Sequence, residues 1–330
     1  MDPDAADSDF RPTTGWPMLR TRADLLARVR SFFAERAFLE VETPLLSADT
    51  VVDRHLDPLS VVSPDDPRDP SRGRTMWLQT SPEFGMKRLM AAGGEAIYQI
   101  TRAFRAGESG ERHNPEFTMV EWYRRDDTLE QGMQLLSDLA EVLFERGASE
   151  RIAYADAFRS ATGVDPHDAT GQQLAAAARD LKISISDSLA PADRDTWLHL
   201  LMSHVVEPGL GRDRPAIVYD YPASQAALAR LRGNPPVAER FELYVGGMEL
   251  ANGYHELLDA EILRQRNRQA NAQRIADGKP PLPNESRLLA AMEHGLPACT
   301  GVALGFDRAV MVATGAKHIR EVIAFPIDRA

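Results

Sequence analysis

The chain contains 330 residues, of which 43% are hydrophobic and 26% charged, and its formal net charge is −11 at pH 7. This acidic balance argues against broad, non-specific binding to nucleic acids, although it is compatible with a local basic patch. No apolar run reaches the roughly 18 residues of a membrane span, so no membrane association is expected. The acidic N-terminus matches neither a signal nor a transit peptide, and the lone cysteine, Cys299, fits a reducing compartment, so we expect a cytoplasmic protein.

In chain order, the first predicted element is an acidic, polar tail over residues 1–18, which we expect to be disordered or loosely attached. Apolar residues at helical spacing predict a helix over residues 23–35. A short strand should end at Pro44. Serine followed by proline predicts a second helix over residues 84–92. No linker separates two cores, so residues 19–330 are expected to form one domain.

The next feature is the segment YQITRAFRAGESGERHNPEFTMVEWYRR at residues 98–125, which predicts two strands joined by a polar loop. Side chains alternate faces with period two, so Phe117, Glu121 and Tyr123 share one face of the second strand. An aromatic ring, a carboxylate and a phenol would suit the floor of a binding site, whereas the alternative is an amphipathic edge hairpin. Guanidinium and imidazole groups in the loop suit phosphate oxygens. The polar loop residues concerned are Arg105, Arg112, His113 and Asn114.

Further along the chain, the pattern is mostly helical before strands return. The predicted elements are a helix over 129–146, a largely helical stretch over 154–237 with a strand at 216–219, a strand at 240–245, a basic helix over 261–276, and a C-terminal strand–helix–strand segment. The basic helix carries arginines that predict either a solvated face or a docking patch for an acidic partner. These arginines are Arg264, Arg266, Arg268 and Arg274.

The segment GMELANGYHEL carries Glu249, Asn252 and Glu256. A helix would place all three on one face, whereas a regular strand would turn Glu249 away from the other two. A turn at residues 251–253 would reunite them, because Asn and Gly tolerate positive φ. Two carboxylates beside a nucleotide would suit Mg²⁺. The alternative is a solvated acidic turn.

The segment GVALGFDR places Gly301, Ala303 and Gly305 at alternate positions of a predicted strand, which would let the strand approach a ligand closely. Arg308 then falls in the first turn of a helix, where a cation opposes the helix dipole. A bound polyphosphate would compensate for that repulsion. Close packing against another element is the alternative explanation.

Together these segments resemble the three motifs of class II aminoacyl-tRNA synthetases, and most closely the lysyl branch, through LQTSPE, HNPEFTMVEWYR, ELANGYHEL and GVALGFDR. The resemblance covers residues 19–330 and implies an α+β catalytic domain with an antiparallel sheet flanked by helices. It also implies ATP and Mg²⁺ as cofactors and a homodimer with Pro44 at its interface. Because the core begins almost at once, no anticodon-binding domain and no anticodon-type tRNA binding are expected. The chain therefore resembles the truncated lysyl-synthetase paralogues that attach (R)-β-lysine to elongation factor P.

The resemblance assigns a role to each motif residue. The catalytic residues would be Arg105 and Arg308. The ATP-binding residues would be Arg105, Gly107, Glu108, Arg112, His113, Asn114, Phe117, Glu249, Leu250, Gly305 and Arg308. The residues binding the amino acid would be Ser81, Pro82, Glu83, Glu121, Tyr123, Asn252, Tyr254, Glu256 and Ala303. The metal ligands would be Glu249 and Glu256.

Two departures from the lysyl branch refine the expectation. Ala303 stands where lysyl-tRNA synthetases have glycine, and its methyl group should favour a β-amino acid over an α-amino acid. Glu108 lies one residue later in the loop than the family's adenine-contacting carboxylate, which puts that contact in question. The acidic pocket predicts a diamino acid substrate. Alternatives are a lysyl-adenylate-forming enzyme with a tRNA or small-molecule acceptor, an amide synthetase that uses ammonia, and a non-catalytic regulatory paralogue.

Overall fold

The computed structural model describes residues 10–183 and 193–330, and its architecture is α+β. The helices are α1 (Trp16–Ala34), α2 (Glu83–Ala91), α3 (Leu129–Phe144), α4 (Tyr154–Thr162), α5 (Gly171–Asp180), α6 (Arg194–Leu201), α7 (Ala260–Ala276), α8 (Arg287–Gly295) and α9 (Phe306–Thr314). The strands are β1 (Leu39–Glu40), β2 (Leu46–Ser47), β3 (Ser60–Pro64), β4 (Gly73–Leu78), β5 (Ala96–Phe104), β6 (Glu116–Arg125), β7 (Glu150–Ala153), β8 (Ala216–Pro222), β9 (Leu231–Arg232), β10 (Val237–Val245), β11 (Met248–His255) and β12 (Cys299–Gly305).

The main sheet runs in the order β1-β5-β6-β12-β11-β10-β8-β7, with β9 paired to β10. Its central pairs, from β5 to β8, are antiparallel, which confirms the predicted sheet flanked by helices. The two outermost pairs, β1 with β5 and β7 with β8, are parallel, which the sequence did not indicate. The sheet is therefore mixed at its edges and antiparallel where the motifs lie.

One face of this sheet is covered by α1 and α3 and forms the main core. The buried face of β6 presents Val120 and Trp122 to this core, as the alternation predicted. The Phe33 ring of α1 stacks on Tyr98 of β5, with ring centroids 4.5 Å apart. Thr128 and a glutamine three residues later cap α3 through reciprocal side-chain bonds. Apolar burial on this face leaves the opposite face of β6, β11 and β12 free for polar side chains.

The N-terminal helix begins earlier than predicted. It starts at Trp16 rather than at residue 23, with Gly15 at the N-cap and Pro17 in the first turn, where the fixed φ of proline suits a helix. Just before it, the Thr13 backbone N–H donates to the Ala324 carbonyl at 2.8 Å. The part of the predicted tail at residues 10–18 is therefore attached to the C-terminal segment, and residues 1–9 lie outside the described residues.

The region after α3 forms a second core around α4, α5, α6 and the inner side of β8, in agreement with the predicted helical stretch. The C-terminal region differs from the prediction. Helix α8 was not predicted, and α9 is followed by a 3₁₀ turn at Ile319–Glu321 rather than by a strand. Among the described residues, none of the helices is both long and apolar enough to cross a membrane.

The basic helix α7 uses its arginines inside the molecule. The Arg274 side chain is buried and pairs with Asp57 at 2.8 Å. Arg264 pairs with Glu293 at 2.5 Å, and Arg266 donates to the Ala229 carbonyl at 2.8 Å. These intramolecular bonds give three of the arginines a structural role, whereas Arg268 is exposed and pairs with Glu261 at 2.8 Å, and the docking patch stays a prediction.

Candidate active site

A cavity of about 690 Å³ lies over the face of the sheet that α1 and α3 leave uncovered. Residues of β6, β11 and β12 form its floor, and residues of α2, α6 and α7 contribute to its walls. All but two of the residues assigned from the motifs line it. Those lining residues are Ser81, Glu83, Arg105, Glu108, Arg112, His113, Asn114, Phe117, Glu121, Tyr123, Glu249, Leu250, Asn252, Tyr254, Glu256, Ala303, Gly305 and Arg308.

The two exceptions are Pro82 and Gly107. Pro82 is buried at the N-cap position of α2 and starts that helix instead of meeting a ligand. Gly107 adopts φ of +78° with open space around it, so it lets the loop after β5 turn. Both residues act on the backbone that carries the site rather than in the cavity.

The nucleotide end of the cavity is defined by cations at the loop between β5 and β6. The Arg105 guanidinium lies over the Phe117 ring, 5.0 Å from the ring centroid, and is 3.7 Å from the Glu108 carboxylate. Glu108 therefore reaches the cavity despite its displaced position in the loop. Its neighbour in this structure is Arg105, and this geometry leaves the adenine contact of Glu108 a prediction.

Arg308 of α9 links this loop to β11. It donates to the Glu249 carbonyl at 3.1 Å and contacts the His113 imidazole. The guanidinium that covers the Phe117 ring is that of Arg105. The preceding residue, Asp307, accepts from the Thr118 backbone N–H at 2.8 Å, and its carboxylate in the first turn of α9 favours the helix dipole.

Asn114 ties the loop to the C-terminus. Its side-chain amide donates to the Glu116 carbonyl at 2.6 Å, and its oxygen accepts from the Ile327 backbone N–H at 3.0 Å. Both ends of the side chain are therefore engaged with protein. Asn114 reaches the cavity wall, but its described contacts position the loop and the C-terminal segment.

Strand β11 brings its polar residues together through a β-bulge rather than a turn. Leu243 of β10 pairs with Ala251, and the next residue, Tyr244, pairs with Glu249, which leaves Leu250 as an extra residue in β11. One inserted residue inverts the alternation of side chains on one side of a bulge. Glu249 consequently lines the same cavity as Asn252 and the residues after it. The predicted turn at residues 251–253 is wrong, because β11 is a continuous strand to His255.

The two predicted metal ligands lie at opposite ends of the cavity floor. Glu249 and Glu256 are seven residues apart on one strand, a separation of about 20 Å. Burial, together with the nearby charge of Glu242, raises the pKa of Glu249 to about 7. Glu207 has its pKa raised to about 7 by burial and by Glu249. Glu256 is therefore too distant to share a metal ion with Glu249, whereas Glu242 is nearer but is bound by Arg240, Tyr221 and Tyr244 and does not line the cavity.

The amino-acid end of the cavity is a network around a buried ammonium. The Lys87 Nζ atom of α2 lies 2.5 Å from Glu83 Oε1 and 2.5 Å from Glu256 Oε2. Burial alone would lower the pKa of Lys87, but these two carboxylates raise it well above its usual value. Separately, the Tyr123 hydroxyl and the Ser81 hydroxyl each donate to Glu121 at 2.6 Å.

Two carboxyl groups at this end have raised pKa values. Burial, followed by the charge of Glu83, raises the pKa of Glu121 to about 7. Burial also raises the pKa of Glu256 to about 8, although Lys87 acts in the opposite direction. The Asn252 Oδ1 and Glu256 Oε1 atoms are buried and accept no hydrogen bond from the described residues. An incoming ligand with N–H donors would satisfy these acceptors and favour ionisation.

Strand β12 sets the depth of the cavity. A Cβ atom at Gly301 would collide with the Tyr123 ring and the Glu256 carboxylate, so only glycine fits there. Ala303 pairs with Glu121 on one side and with Asn252 on the other, and its methyl group lines the cavity between them. At Gly305, a Cβ atom would meet nothing nearer than 3.8 Å.

Comparison with known proteins agrees with this geometry. The sequence matches the family model of class II tRNA synthetases (D, K and N) over residues 9–329. The chain belongs to this family. Curated relatives named elongation factor P–(R)-β-lysine ligase come from Vibrio vulnificus (47% identity over 327 residues, 98% of this chain and 99% of the relative), Yersinia enterocolitica (46% over 327, 98% and 99%) and Klebsiella pneumoniae strain 342 (46% over 325, 97% and 98%).

Within this class II synthetase domain, sequence reasoning missed Lys87 and Glu242, and it gave no specific reason for glycine at position 301. Lys87 follows Glu83 by one helical turn, and that i, i+4 spacing was the available signal. Glu242 interrupts an apolar run in β10, where a buried carboxylate needs a reason. Gly301 begins the alternate row of small residues in β12, and only the facing side chains reveal why it must be glycine.

Proposed function

We propose that this protein activates (R)-β-lysine with ATP as an aminoacyl-adenylate and transfers the β-lysyl group to a lysine side chain of elongation factor P. The observation that carries the proposal is one cavity with arginines at one end and buried carboxylates at the other. A class II synthetase fold and relatives named for this reaction, at 46–47% identity over nearly their whole length, support it.

The amino-acid end suits a substrate with two ammonium groups. Three carboxylates, Glu83, Glu121 and Glu256, meet one protein cation, so the surroundings hold an excess of negative charge. The open acceptors Asn252 Oδ1 and Glu256 Oε1 match N–H donors of such a substrate. Ammonium groups leaving water need anionic partners, which a neutral or acidic amino acid would not satisfy.

The nucleotide end suits the triphosphate. Arg105 would move from its place over Phe117 to the α-phosphate, where it would stabilise the charge that develops as the substrate carboxylate attacks. Arg308, Arg112 and His113 would contact the outer phosphates, and adenine would stack on the Phe117 ring. No side-chain nucleophile is required, because alignment of the carboxylate with phosphorus supplies much of the acceleration.

Mg²⁺ fits the Glu249 carboxylate at this end. Glu249 lines the cavity, and the nearby charge of Glu242 contributes to its raised pKa. A hard divalent cation at Glu249 would offset that repulsion, and ATP oxygens would complete its coordination. No group of three or more acidic, histidine or cysteine side chains within 10–183 and 193–330 could hold a metal without ATP. Bound Mg²⁺ would neutralise charge on the phosphates.

Ala303 favours the β-isomer of lysine. Its methyl group lies between Glu121 and Asn252, beside the space for the substrate backbone. A glycine here would leave room for an α-amino group, whereas the methyl group takes that volume. Steric selection by one methyl group amounts to about 1–3 kcal/mol, which gives a preference between the isomers.

The acceptor step forms an amide. The neutral ε-amine of the acceptor lysine attacks the carbonyl carbon of the adenylate, the bond from that carbon to the phosphate oxygen breaks, and AMP leaves with the electron pair. The attacking nitrogen releases one proton to solvent and keeps the other in the amide. The names of the curated relatives favour elongation factor P over tRNA as the acceptor. We further infer that the enzyme acts in the cytoplasm.

We further propose that the enzyme is a homodimer. The small sheet formed by β2, β3 and β4 carries apolar side chains at its surface. Leu46, Val61 and Val62 are between 37% and 43% exposed, and Pro44 lies two residues before the start of β2. Exposed apolar side chains grouped in this way are typical of a subunit interface.

Intact-mass spectrometry of elongation factor P tests the proposed function. Incubation with the enzyme, ATP, Mg²⁺ and (R)-β-lysine should increase the mass of the acceptor by one lysyl residue. A Lys→Arg substitution at the modified position of the acceptor should abolish the increase. Adenylate formation without any change in acceptor mass would instead support a tRNA or small-molecule acceptor. Absence of both activities would support a non-catalytic paralogue.

A further inference from the structure

Lys87 is a fully buried cation that has no part in the chemical steps proposed above. It lies on α2 one turn after Glu83, and its Nζ atom lies between Glu83 and Glu256 at 2.5 Å from each. The Tyr123 ring centroid is 6.0 Å from Nζ. Lys87 does not line the cavity, so it lies behind the carboxylates rather than beside the substrate.

The arrangement divides the three carboxylates into two kinds. Glu121 is held by hydroxyl groups of Ser81 and Tyr123, which orient it without neutralising it. Glu83 and Glu256 are instead held by the Lys87 ammonium. Three carboxylates and one ammonium leave a formal charge of about −2, which equals the charge that a substrate with two ammonium groups neutralises.

The same contacts determine which oxygen atom of Glu256 is available to a ligand. The Lys87 ammonium pairs with Glu256 through Oε2, and neither oxygen of Glu256 accepts a well-aligned hydrogen bond from the described residues. Glu256 Oε1 occupies the space that a side chain at position 301 would need, so glycine there allows Glu256 to take this position. Lys87 thus fixes one oxygen of Glu256 so that the other is available for a substrate ammonium.

We propose that Lys87 is a specificity-determining, positioning residue: its ion pairs with Glu83 and Glu256 hold the two carboxyl groups in place, so that the pocket accepts an amino acid with two ammonium groups and rejects one with a single ammonium group. This inference rests on the proposed function. Other titratable groups that face this cluster are Glu121 and Tyr123 of β6, Tyr254 of β11 and Cys299 of β12.

Removal of the charge should change amino-acid binding and its pH dependence. In Lys87→Met, the two buried carboxyl groups lose the cation that positions them and favours their ionised forms, so both should bind protons more strongly. We expect KM for β-lysine in ATP–pyrophosphate exchange to rise at least about tenfold, with KM for ATP within about twofold of the wild-type value. Raising the pH should partly restore β-lysine binding, because it ionises the carboxyl groups again.

Selectivity gives a second readout. The ratio of kcat/KM for β-lysine to that for 3-aminohexanoate, which lacks the terminal ammonium, should fall at least about tenfold in Lys87→Met. Arg88→Met removes an exposed cation from the next position of α2 and should leave both quantities unchanged. In Lys87→Ala, added ethylammonium should restore β-lysine binding by occupying the vacated site, whereas ethanol should not.

The outcomes separate this inference from the proposed function. Wild-type enzyme without exchange activity towards any lysine isomer would refute the proposed function. Active wild-type enzyme, together with a Lys87→Met variant whose KM and pH profile for β-lysine are unchanged, would refute only the role of Lys87. The role is likewise refuted if Lys87→Ala keeps a normal KM for ATP but shows no rescue by ethylammonium.

Discussion

The two ends of the cavity share the floor of β6, β11 and β12 but handle charge in opposite ways. At the nucleotide end, Arg105 and Arg308 lie at the cavity surface, with contacts to Glu108 and to the Glu249 carbonyl. At the amino-acid end, the cation Lys87 is buried and the carboxylates face the cavity. In the proposed function, the arginines of the first end would exchange these contacts for contacts with phosphate oxygens. The ion pairs of the second end are already formed in this structure.

The two ends handle charge differently because they are proposed to recognise different ligands. A triphosphate reacts, changes charge and leaves as pyrophosphate, so mobile guanidinium groups are useful there. The amino acid must be distinguished from close analogues. A site does this with rigidly held polar groups that pair with the correct ligand and remain unpaired, at a cost in free energy, when the wrong ligand binds. Variants at the two ends should therefore affect different kinetic constants.

The largest expected effect is at the nucleotide end. Arg105→Ala should lower kcat for ATP–pyrophosphate exchange by about 10²–10³-fold, because it removes a donor from the charge that develops on the α-phosphate. KM for β-lysine should change little. Arg102→Ala is the matched control, since Arg102 lies on the same strand but outside the cavity and pairs with Glu116. An Arg105→Ala variant that lost β-lysine binding instead would break the distinction between the two ends.

A smaller effect is expected at the amino-acid end. Ala303→Gly should raise kcat/KM for α-lysine relative to β-lysine by about 5–100-fold, because about 1–3 kcal/mol of steric selection is removed. Exchange assays with both isomers measure this ratio, and KM for ATP serves as the internal control. An unchanged ratio would place the selection between isomers in groups other than the methyl group.

The smallest effect concerns the stability of the empty enzyme. Burial and Glu249 raise the pKa of Glu207 to about 7, above the ordinary value of 4.5. The folded state therefore holds a proton that the unfolded state has released between about pH 4.5 and 7, and this group destabilises the fold as pH rises through that window. Glu207→Gln should raise Tm by about 1–4 °C at pH 8 and leave it unchanged at pH 4.5.

The control for that experiment is Glu141→Gln, which changes an exposed carboxylate on α3. It should not alter the dependence of Tm on pH. An equal rise in Tm at both pH values for Glu207→Gln would mean that packing, rather than ionisation, accounts for the change.

Side chains in regular strands could be placed from the sequence. The period-two alternation of β6 predicted that Glu121 and Tyr123 would face the site while Trp122 entered the core, and the structure has this arrangement. The same rule failed in β11, because a bulge depends on how the neighbouring strand pairs, which the sequence of β11 alone does not contain.

The sequence analysis also failed to predict the roles of residues that act through tertiary contacts. In the sequence, Lys87 is one of several charged residues on an amphipathic helix. Its role is visible only in the folded structure, where it pairs with Glu256, which is distant in sequence. The Glu249–Glu256 metal pair failed for the opposite reason, since closeness in sequence was taken for closeness in space. The helix start at Trp16 was missed because the apolar periodicity weakens in its first turns, although proline gave the signal.

The bulge at Leu250 has a consequence for how this site can change over evolution. Inserting one residue into β10 between Leu243 and Tyr244 would give Leu250 a partner, restore regular pairing and turn Glu249 out of the cavity, while Asn252 kept its register with β12. A single codon thus separates a strand that would serve both proposed substrates from one that would serve only the amino acid. One in-frame insertion in β10 would therefore remove Glu249 from the nucleotide end and leave the pocket for the diamino acid intact.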